Sequence, residues 1–239
     1  MAGTAVLKAS KRAVVVVSGG LDSTVLLYSV IDKGFEPFVL SFDYGQRHLK
    51  ELDFAAKTCA FLELEHDIVD LTSAQGLLRS TLTFQGEVPE GHYSAATMKQ
   101  TIVPNRNAIM LSLAYGWAVS LAAEAVFIGA HAGDHAIYPD CRLEFFQQLA
   151  AAFNLGNAWS QPIRIEAPFV NLSKAAVVLL GEELGVAFDK TWSCYQGFEL
   201  HCGRCGTCVE RAEAFHVAGV TDPTVYSDKE YWKTAVKHA

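Results

Sequence analysis

The SGGLDS loop at residues 18–23 constrains this chain more than any other feature. Four consecutive valines at residues 14–17 precede it, and such a run of β-branched residues predicts a strand that is buried on both faces. Two glycines then allow a tight turn, and residues 22–33 have the pattern of a helix. The free N–H groups of this turn and the positive end of the helix dipole point to one place, which is typical of a phosphate site. The alternative is an ordinary strand–helix turn that Asp22 or Ser23 caps.

This loop differs from the common ATP-binding loop. A Walker A loop carries a lysine after its second glycine, whereas no lysine lies between Arg12 and Lys33. Backbone N–H groups, serine hydroxyls, Mg²⁺ and cations from other segments must therefore neutralise the phosphates. SGGLDS resembles the pyrophosphate loop (PP-loop) of the ATP pyrophosphatases, and the resemblance implies that ATP is cleaved between its α and β phosphates. It also implies that the nucleotide contacts lie in the loop and its flanking turns: Val16, Val17, Ser18, Gly19, Gly20, Leu21, Asp22, Ser23, Thr24, Val25 and Leu26.

Composition and charge limit the function classes. The chain has 239 residues and a net charge of −7, which argues against a large nucleic-acid footprint because such surfaces are basic. The first residues lack the apolar run of a secretory signal, and no stretch is apolar enough over its length to span a membrane. We therefore expect a cytoplasmic protein with no membrane or nucleic-acid partner. The composition leaves a homo-oligomer open.

Strand and helix patterns alternate along the chain. Further strands are expected at residues 37–42, 65–71, 125–130 and 163–167, and further helices at residues 49–62, 108–123, 143–155, 173–184 and 209–217. This alternation predicts right-handed βαβ units. Together with the PP-loop resemblance, we expect an α/β fold that is Rossmann-like (adenine nucleotide alpha hydrolase-like) and doubly wound, with a mostly parallel five-stranded sheet. Four cysteines within fifteen residues near the C-terminus add the expectation of a small zinc-knuckle region there. The expected division is a PP-loop ATP pyrophosphatase domain at residues 1–190 and a zinc-binding region at residues 191–239 that packs on it.

Residues 73–104 interrupt this rhythm. The segment has no clear period and is long for a connection in a compact domain, which is typical of lids and binding loops. A lid over the nucleotide or its co-substrate is the preferred interpretation. A merely flexible insertion is the alternative.

Four cysteines near the C-terminus have the spacing of a closed metal site. Each C-x-x-C sequence forms a knuckle that presents two thiolates, and four thiolates suit one structural Zn²⁺ per chain. An iron–sulfur cluster or a redox dithiol is the alternative, and His201 is a less suitable ligand than its neighbour. The predicted ligands are Cys194, Cys202, Cys205 and Cys208.

Several separate sequence motifs occur in the same order as in a known family. They are SGGLDST, SFDYGQRH, VPNRN, YPDCR, TWSCYQG and HCGRCGTCVERAEAF, and they extend over residues 14–223. In this order they resemble the 7-cyano-7-deazaguanine synthase family. The resemblance implies a zinc-containing, ATP- and Mg²⁺-dependent ligase that converts 7-carboxy-7-deazaguanine and ammonia to the 7-cyano compound. The ammonia is expected to be free or to come from a separate protein.

The missing phosphate cations must come from elsewhere in the chain. Arg106 and Lys174 are the predicted sources, acting beside Asp22 and Ser23 in catalysis. A surface ion pair is the alternative role for each cation.

The base pocket is predicted from the loops after the second and fourth strands. Asp140 is expected to accept from the guanine edge, and Arg142, or alternatively Arg47, is expected to orient the 7-carboxylate. The alternative is that Asp140 caps the next helix and pairs with Arg142 on the surface. Further candidates for substrate contact in these loops are His48, His131 and Asp134.

Two other functions fit the PP-loop. A PP-loop tRNA-modifying thiolase would need a persulfide-bearing cysteine, for which Cys141 is the obvious candidate, and a basic RNA surface, which the net charge disfavours. A non-enzymatic nucleotide sensor would need the loop alone.

Overall fold

The computed structural model describes residues 11–83 and 86–237. The expectations for residues 1–10 and for residues 84–85 of the insertion therefore lie outside the described residues. In the described part, five strands form one sheet in the order β3–β2–β1–β4–β5, and every pair is parallel. The expected doubly wound α/β fold is confirmed. The strands are β1 (Lys11–Val16), β2 (Phe35–Asp43), β3 (His66–Asp70), β4 (Ala125–Phe127) and β5 (Arg164–Glu166).

Helices cover both faces of this sheet. Val14 and Val15 in β1 are both fully buried, and they belong to apolar cores on opposite faces. This explains why the central strand has a continuous valine run rather than an alternating pattern. The helices are α1 (Leu21–Asp32), α2 (Lys50–Phe61), α3 (Arg106–Ser120), α4 (Leu143–Gly156), α5 (Lys174–Glu183), α6 (Gly206–Ala218) and α7 (Tyr231–Lys237). None of the described helices combines the length and apolar composition needed to cross a membrane.

The described part of the insertion is packed rather than separate from the body. Leu82 and Met98 are almost fully buried in the core beside α3, and a 3₁₀ turn at Ala96–Thr101 carries the latter. The insertion therefore forms part of the wall around the carboxyl ends of the strands. Ligands bind at these ends in open α/β sheets, next to the point where the strand order reverses.

The C-terminal segment packs back onto the first half of the chain. Ala214 and Phe215 of α6 belong to the core that α1 and α5 share. Arg211 of the same helix has no exposed surface, and its guanidinium donates to the Phe188 carbonyl at 2.9 Å and to Thr191 Oγ1 at 2.7 Å. These bonds fix the 3₁₀ turn at Phe188–Lys190 and the residue after it, which lead into the cysteine cluster.

Candidate active site and metal centre

A cavity of about 210 Å³ lies at the carboxyl ends of β1, β2 and β4. The PP-loop, the loop after β2, the start of α3, the loop after β4 and the start of α5 all contribute to its lining. The structure thus brings together residues that are far apart in sequence. The predicted site residues in the lining are Val16, Val17, Ser18, Gly20, Asp22, Ser23, His48, Arg106, His131, Asp134 and Lys174.

Gly19 sets the path of the PP-loop. Its φ of +90° is a conformation that L side chains rarely adopt, and a Cβ there would lie 1.9 Å from the Glu51 carbonyl oxygen. The Gly19 carbonyl accepts a hydrogen bond of 3.0 Å from the Trp192 N–H. The loop is therefore held between α2 and the segment that precedes the cysteines, and only glycine fits there.

The two loop serines lie across the turn from each other. The Ser18 N–H donates to Ser23 Oγ at 3.1 Å, and the Gly20 N–H donates to Ser18 Oγ at 3.2 Å. Both N–H groups are thus held by the loop's own serine side chains at the N-terminus of α1. The positive end of the helix dipole at this place favours a phosphate anion.

Lys174 supplies a cation to this loop. Its Nζ lies 2.5 Å from Asp22 Oδ2 and 3.4 Å from Glu210 Oε2. Burial works against ionisation of Asp22, but the Lys174 ammonium group holds the pKa of this carboxyl below its ordinary value. Burial also lowers the pKa of Lys174, yet the two carboxylates raise it above its ordinary value overall. The charged pair therefore persists at neutral pH.

His131 and Asp134 extend the polar cluster. The His131 backbone N–H donates to Asp134 Oδ2 at 3.0 Å, and the Tyr93 hydroxyl donates to Asp134 Oδ1 at 2.9 Å. His131 Nε2 lies 3.6 Å from Glu210 Oε1. The loop after β4 is thus tied to the insertion and to α6.

Arg106 lies at an aromatic end of the cavity. Its guanidinium contacts the Tyr44 hydroxyl at 3.4 Å, and the tyrosines around it include Tyr138 and Tyr195. Burial lowers the pKa of Arg106, but the surrounding hydroxyls raise it well above its ordinary value overall. A permanent cation among flat aromatic rings suits a planar, anionic ligand.

Two ionisable groups of this end are neutral at neutral pH. Burial, with a further contribution from Arg106, lowers the pKa of His48 to about 3. Burial raises the pKa of Glu51 to about 8, although Arg106 and Lys174 oppose this rise. The two side chains lie 3.8 Å apart, between Nε2 and Oε2.

Three predicted substrate residues do not line this cavity. Asp140 Oδ2 accepts from the Asn107 N–H at 3.4 Å, in the first turn of α3. Arg142 donates to the His135 carbonyl at 2.9 Å and is exposed, and Arg47 donates to the Gly86 carbonyl at 2.6 Å and is also exposed. Gly19, Leu21, Thr24, Val25 and Leu26 also lie outside the lining, where they shape the loop and the core.

Other cavity residues were not expected from the sequence. Glu51 belongs to an amphipathic helix pattern, and Tyr93 belongs to the segment without a period. Tyr195 follows Cys194 directly, and Glu210 lies two residues after Cys208. The available signal was the position of Tyr44, Tyr138, Tyr195 and Glu210 within the strings SFDYGQRH, YPDCR, TWSCYQG and HCGRCGTCVERAEAF.

The four C-terminal cysteines meet in one cluster. Their sulfur atoms all lie within 4.8 Å of one another, and Cys202 Sγ lies 3.9 Å from Cys208 Sγ. A tetrahedral Zn–S distance of ~2.3 Å places sulfur atoms ~3.8 Å apart, so the donor set fits zinc. The cluster could bind a metal. His201 is not part of it, because its Nε2 accepts from the Ser193 N–H at 3.0 Å.

Asp22 also has a free coordination position. Its Oδ1 is buried and has no hydrogen-bond partner among the described residues, while Oδ2 pairs with Lys174. A carboxylate oxygen beside a phosphate loop is the type of ligand that Mg²⁺ prefers. The site therefore fits a magnesium ion.

Comparisons with known proteins agree on one family. Residues 12–219 match the model of the family described as queuosine biosynthesis protein QueC. A 7-cyano-7-deazaguanine synthase from Rhizobium johnstonii is 51% identical over 226 residues, which cover 94% of this chain and 96% of the relative. A 7-cyano-7-deazaguanine synthase from Caldicellulosiruptor saccharolyticus is 52% identical over 222 residues, which cover 92% and 98% of the two chains.

A solved structure supports the fold alone. The U34-tRNA thiolase NcsA from Methanococcus maripaludis is similar with a TM-score of 0.50 at 16% identity, and the match covers 90% of this chain and 67% of that chain.

Proposed function

The chain belongs to the queuosine biosynthesis protein QueC family, and from this premise we propose that it converts 7-carboxy-7-deazaguanine and ammonia to 7-cyano-7-deazaguanine at the expense of ATP. The observation that carries this proposal is the single cavity in which the PP-loop, Lys174 and Arg106 meet a group of tyrosines. One end suits phosphates and the other suits a planar acid. An adenylating ligase needs both within reach of each other.

In the first round the substrate carboxylate attacks the α-phosphorus of ATP. The bond to the β-phosphate oxygen breaks, and pyrophosphate leaves with the electron pair. The N–H groups at residues 18–23 and the Lys174 ammonium group stabilise the charge that develops on the leaving group. Arg106 orients the acid among the tyrosines.

Ammonia then adds to the acyl carbon of the adenylate. AMP leaves, the nitrogen loses a proton, and the product is the amide. In the second round the amide oxygen attacks the α-phosphorus of another ATP, and pyrophosphate leaves. The adenylated amide then loses AMP and two protons to give the nitrile. Adenylation is needed twice because neither a carboxylate oxygen nor an amide oxygen leaves readily at neutral pH.

Two metals fit this scheme. Mg²⁺ held by Asp22 Oδ1 would supply charge neutralisation on the phosphates. Zinc held by Cys194, Cys202, Cys205 and Cys208 would have a structural role, because four thiolates leave no open coordination position. We keep the division into a PP-loop domain at residues 1–190 and a zinc-binding region at residues 191–239, and the second of these also contributes Tyr195 and Glu210 to the cavity. We place this chemistry in the cytoplasm, with small molecules as the partners and no nucleic acid.

The test is incubation of the purified protein with 7-carboxy-7-deazaguanine, ATP, Mg²⁺ and ammonium. Mass spectrometry should show the amide and then the nitrile, together with AMP and pyrophosphate. Acid-dependent exchange of labelled pyrophosphate into ATP, measured without ammonium, checks the first adenylation separately. No exchange and no nitrile would contradict the proposal.

The thiolase alternative has less support at its key residue. Cys141 lines the cavity, but it is 6% exposed and its sulfur accepts from Asn107 Nδ2 at 3.3 Å. Burial, together with nearby carboxylates, raises the pKa of this thiol. A sulfur carrier needs an accessible thiolate, and this environment favours the thiol.

A further inference from the structure

A second cavity lies directly behind the first. It has a volume of about 290 Å³ and lies between the insertion, the loop after β4, α5 and α6. Tyr93, Lys174 and Glu210 line both cavities. A single layer of side chains therefore separates the second cavity from the site of adenylation.

Glu210 is the unusual member of this layer. It is 8% exposed, and no group among the described residues donates a hydrogen bond to its carboxylate. Its nearest cation is Lys174 at 3.4 Å, but that ammonium group lies closer to Asp22, at 2.5 Å. A buried carboxylate usually accepts several hydrogen bonds, so Glu210 retains capacity for a donor that enters from a cavity.

The layer has an excess of negative charge. The carboxylates of Asp22, Asp134 and Glu210 share the Lys174 ammonium group and the His131 ring. The far side of the second cavity adds the pair of His92 and Glu213, whose atoms lie 3.2 Å apart. This negative charge would repel pyrophosphate, so the second cavity is not suited to its exit. The same charge would attract a small cation into the cavity.

A missing side chain leaves Glu210 accessible. Gly133 lines the second cavity, and a Cβ at this position would lie 2.9 Å from Glu210 Oε1. The volume holds an ammonium ion with several waters, since a water molecule takes up ~30 Å³ in the liquid.

We propose that the second cavity is the entry and binding site for ammonium, with the Glu210 carboxylate as its hydrogen-bond acceptor. One proton passes from the ammonium ion to solvent, and the ammonia that remains adds to the acyl carbon. Ammonium is the substrate that carries a positive charge and four N–H donors. It would add a donor to the Glu210 carboxylate, whose nearest cation, Lys174, lies closer to Asp22. This inference rests on the proposed function. It assigns the nitrogen substrate a route that ATP and the deazaguanine acid do not use.

The test is to narrow the second cavity without touching the first. Ala175→Leu adds bulk at a residue that lines the second cavity alone, and Ala176→Leu makes the same change one residue further along α5, where it lines neither cavity. We expect Ala175→Leu to raise the KM for ammonium by about tenfold or more while the KM for ATP and for the acid stay unchanged. Ala176→Leu should leave all three constants unchanged.

A second variant tests the proposal independently of any folding defect in Ala175→Leu. Glu210→Gln keeps the shape of the side chain, and we expect it to raise the KM for ammonium as well. An unchanged ammonium KM in both variants would overturn the inference. A rise in the KM for the acid in Ala175→Leu would also overturn it, because the cavity would then hold the base.

Failure of the proposed function is distinguishable from failure of this inference. Acid-dependent pyrophosphate exchange in the unmodified protein requires no ammonium. Its absence would contradict the proposed function and this inference together. Normal exchange combined with unchanged ammonium constants in the variants would contradict this inference alone.

Discussion

Lys174 Nζ lies 2.5 Å from Asp22 Oδ2, although 152 residues separate the two in sequence. The pair joins the N-terminus of α5 to the first turn of α1. It places a cation beside a phosphate loop that contains no lysine of its own. The loop thus follows the central strand β1, whereas the charge that completes it follows the edge strand β5.

Replacing Lys174 by methionine should remove most of the adenylation activity. The change deletes the cation that we propose faces the leaving pyrophosphate, and it leaves the Asp22 and Glu210 carboxylates without this cation. We expect the rate of pyrophosphate exchange to fall by a factor of ~10²–10³, as for other preorganised charges in active sites. Lys57→Met on the exposed side of α2 is the matched control and should exchange normally. Similar rates for the two variants would contradict the role of Lys174.

Replacing Gly19 by valine should damage both the loop and the fold. The backbone conformation costs roughly 1–2 kcal/mol for a residue with a side chain, and the new Cβ would also meet the backbone of α2. We expect pyrophosphate exchange to be lost. The melting temperature should fall by ~2–4 °C for each kcal/mol of stability that the substitution removes.

Gly34→Val separates these effects. Gly34 has a similar φ of +78° but has no atom within 4 Å of an added Cβ. The control should lose stability and keep exchange. A Gly19→Val protein that still exchanges pyrophosphate would disprove the phosphate-loop assignment.

Replacing Cys205 by serine should release the metal and unfold the C-terminal segment. Metal binding energy is folding energy at a closed site, so stability should fall before chemistry is affected. Metal analysis of the unmodified protein should give one zinc per chain, whereas iron with acid-labile sulfide would indicate a cluster. Cys59→Ser alters a buried cysteine of α2 and should keep the metal. Full folding and activity without any metal would rule out a structural site.

Replacing Glu51 by glutamine should change how stability depends on pH. Burial raises the pKa of Glu51 to about 8 from its ordinary value of 4.5, so the folded protein holds this proton more tightly than the unfolded chain does. That stabilisation is complete below the ordinary pKa and is lost as pH rises towards 8. Glutamine does not titrate. The free energy of unfolding of the variant, relative to that of the unmodified protein, should therefore rise by up to ~1.4 kcal/mol per pH unit in this window.

Denaturant unfolding at about pH 5 and about pH 8 measures the difference. Glu183→Gln changes an exposed residue of α5 and should show the same pH dependence as the unmodified protein. If the stability of Glu51→Gln changed with pH in parallel with that of the unmodified protein, Glu51 would be ionised throughout this pH range.

Patterns that are continuous in the sequence were sufficient to predict the sheet, the PP-loop and the cysteine cluster. The valine run and the regular alternation of strands and helices specify a parallel sheet. β4 ends at Phe127 rather than near residue 130, because the chain leaves the sheet at Gly129. A Cβ on Gly129 would lie 3.3 Å from the backbone of Asp22 and Ser23, a contact that depends on tertiary packing.

Side-chain direction explains why some residues predicted for the base pocket do not line the cavity. Asp140 and Arg142 are close in sequence to residues that line the cavity. A 3₁₀ turn at Pro139–Cys141 directs Asp140 to α3 and Arg142 to the His135 carbonyl. Glu210 shows the opposite case, since it reaches the site from α6 through packing that no local pattern encodes. Spacing along the chain could identify groups that share a loop but not those that share a cavity.

The bond between the Trp192 N–H and the Gly19 carbonyl has a consequence for biosynthesis. A growing chain emerges from the ribosome with its N-terminal residues first, so β1 and α1 are available long before Lys174 and Trp192 have been made. Contacts of such sequence separation form late, because a long loop must close first. The phosphate loop is therefore among the first segments to be synthesised and among the last to be completed, and a truncated chain that ends before Trp192 lacks a finished nucleotide site.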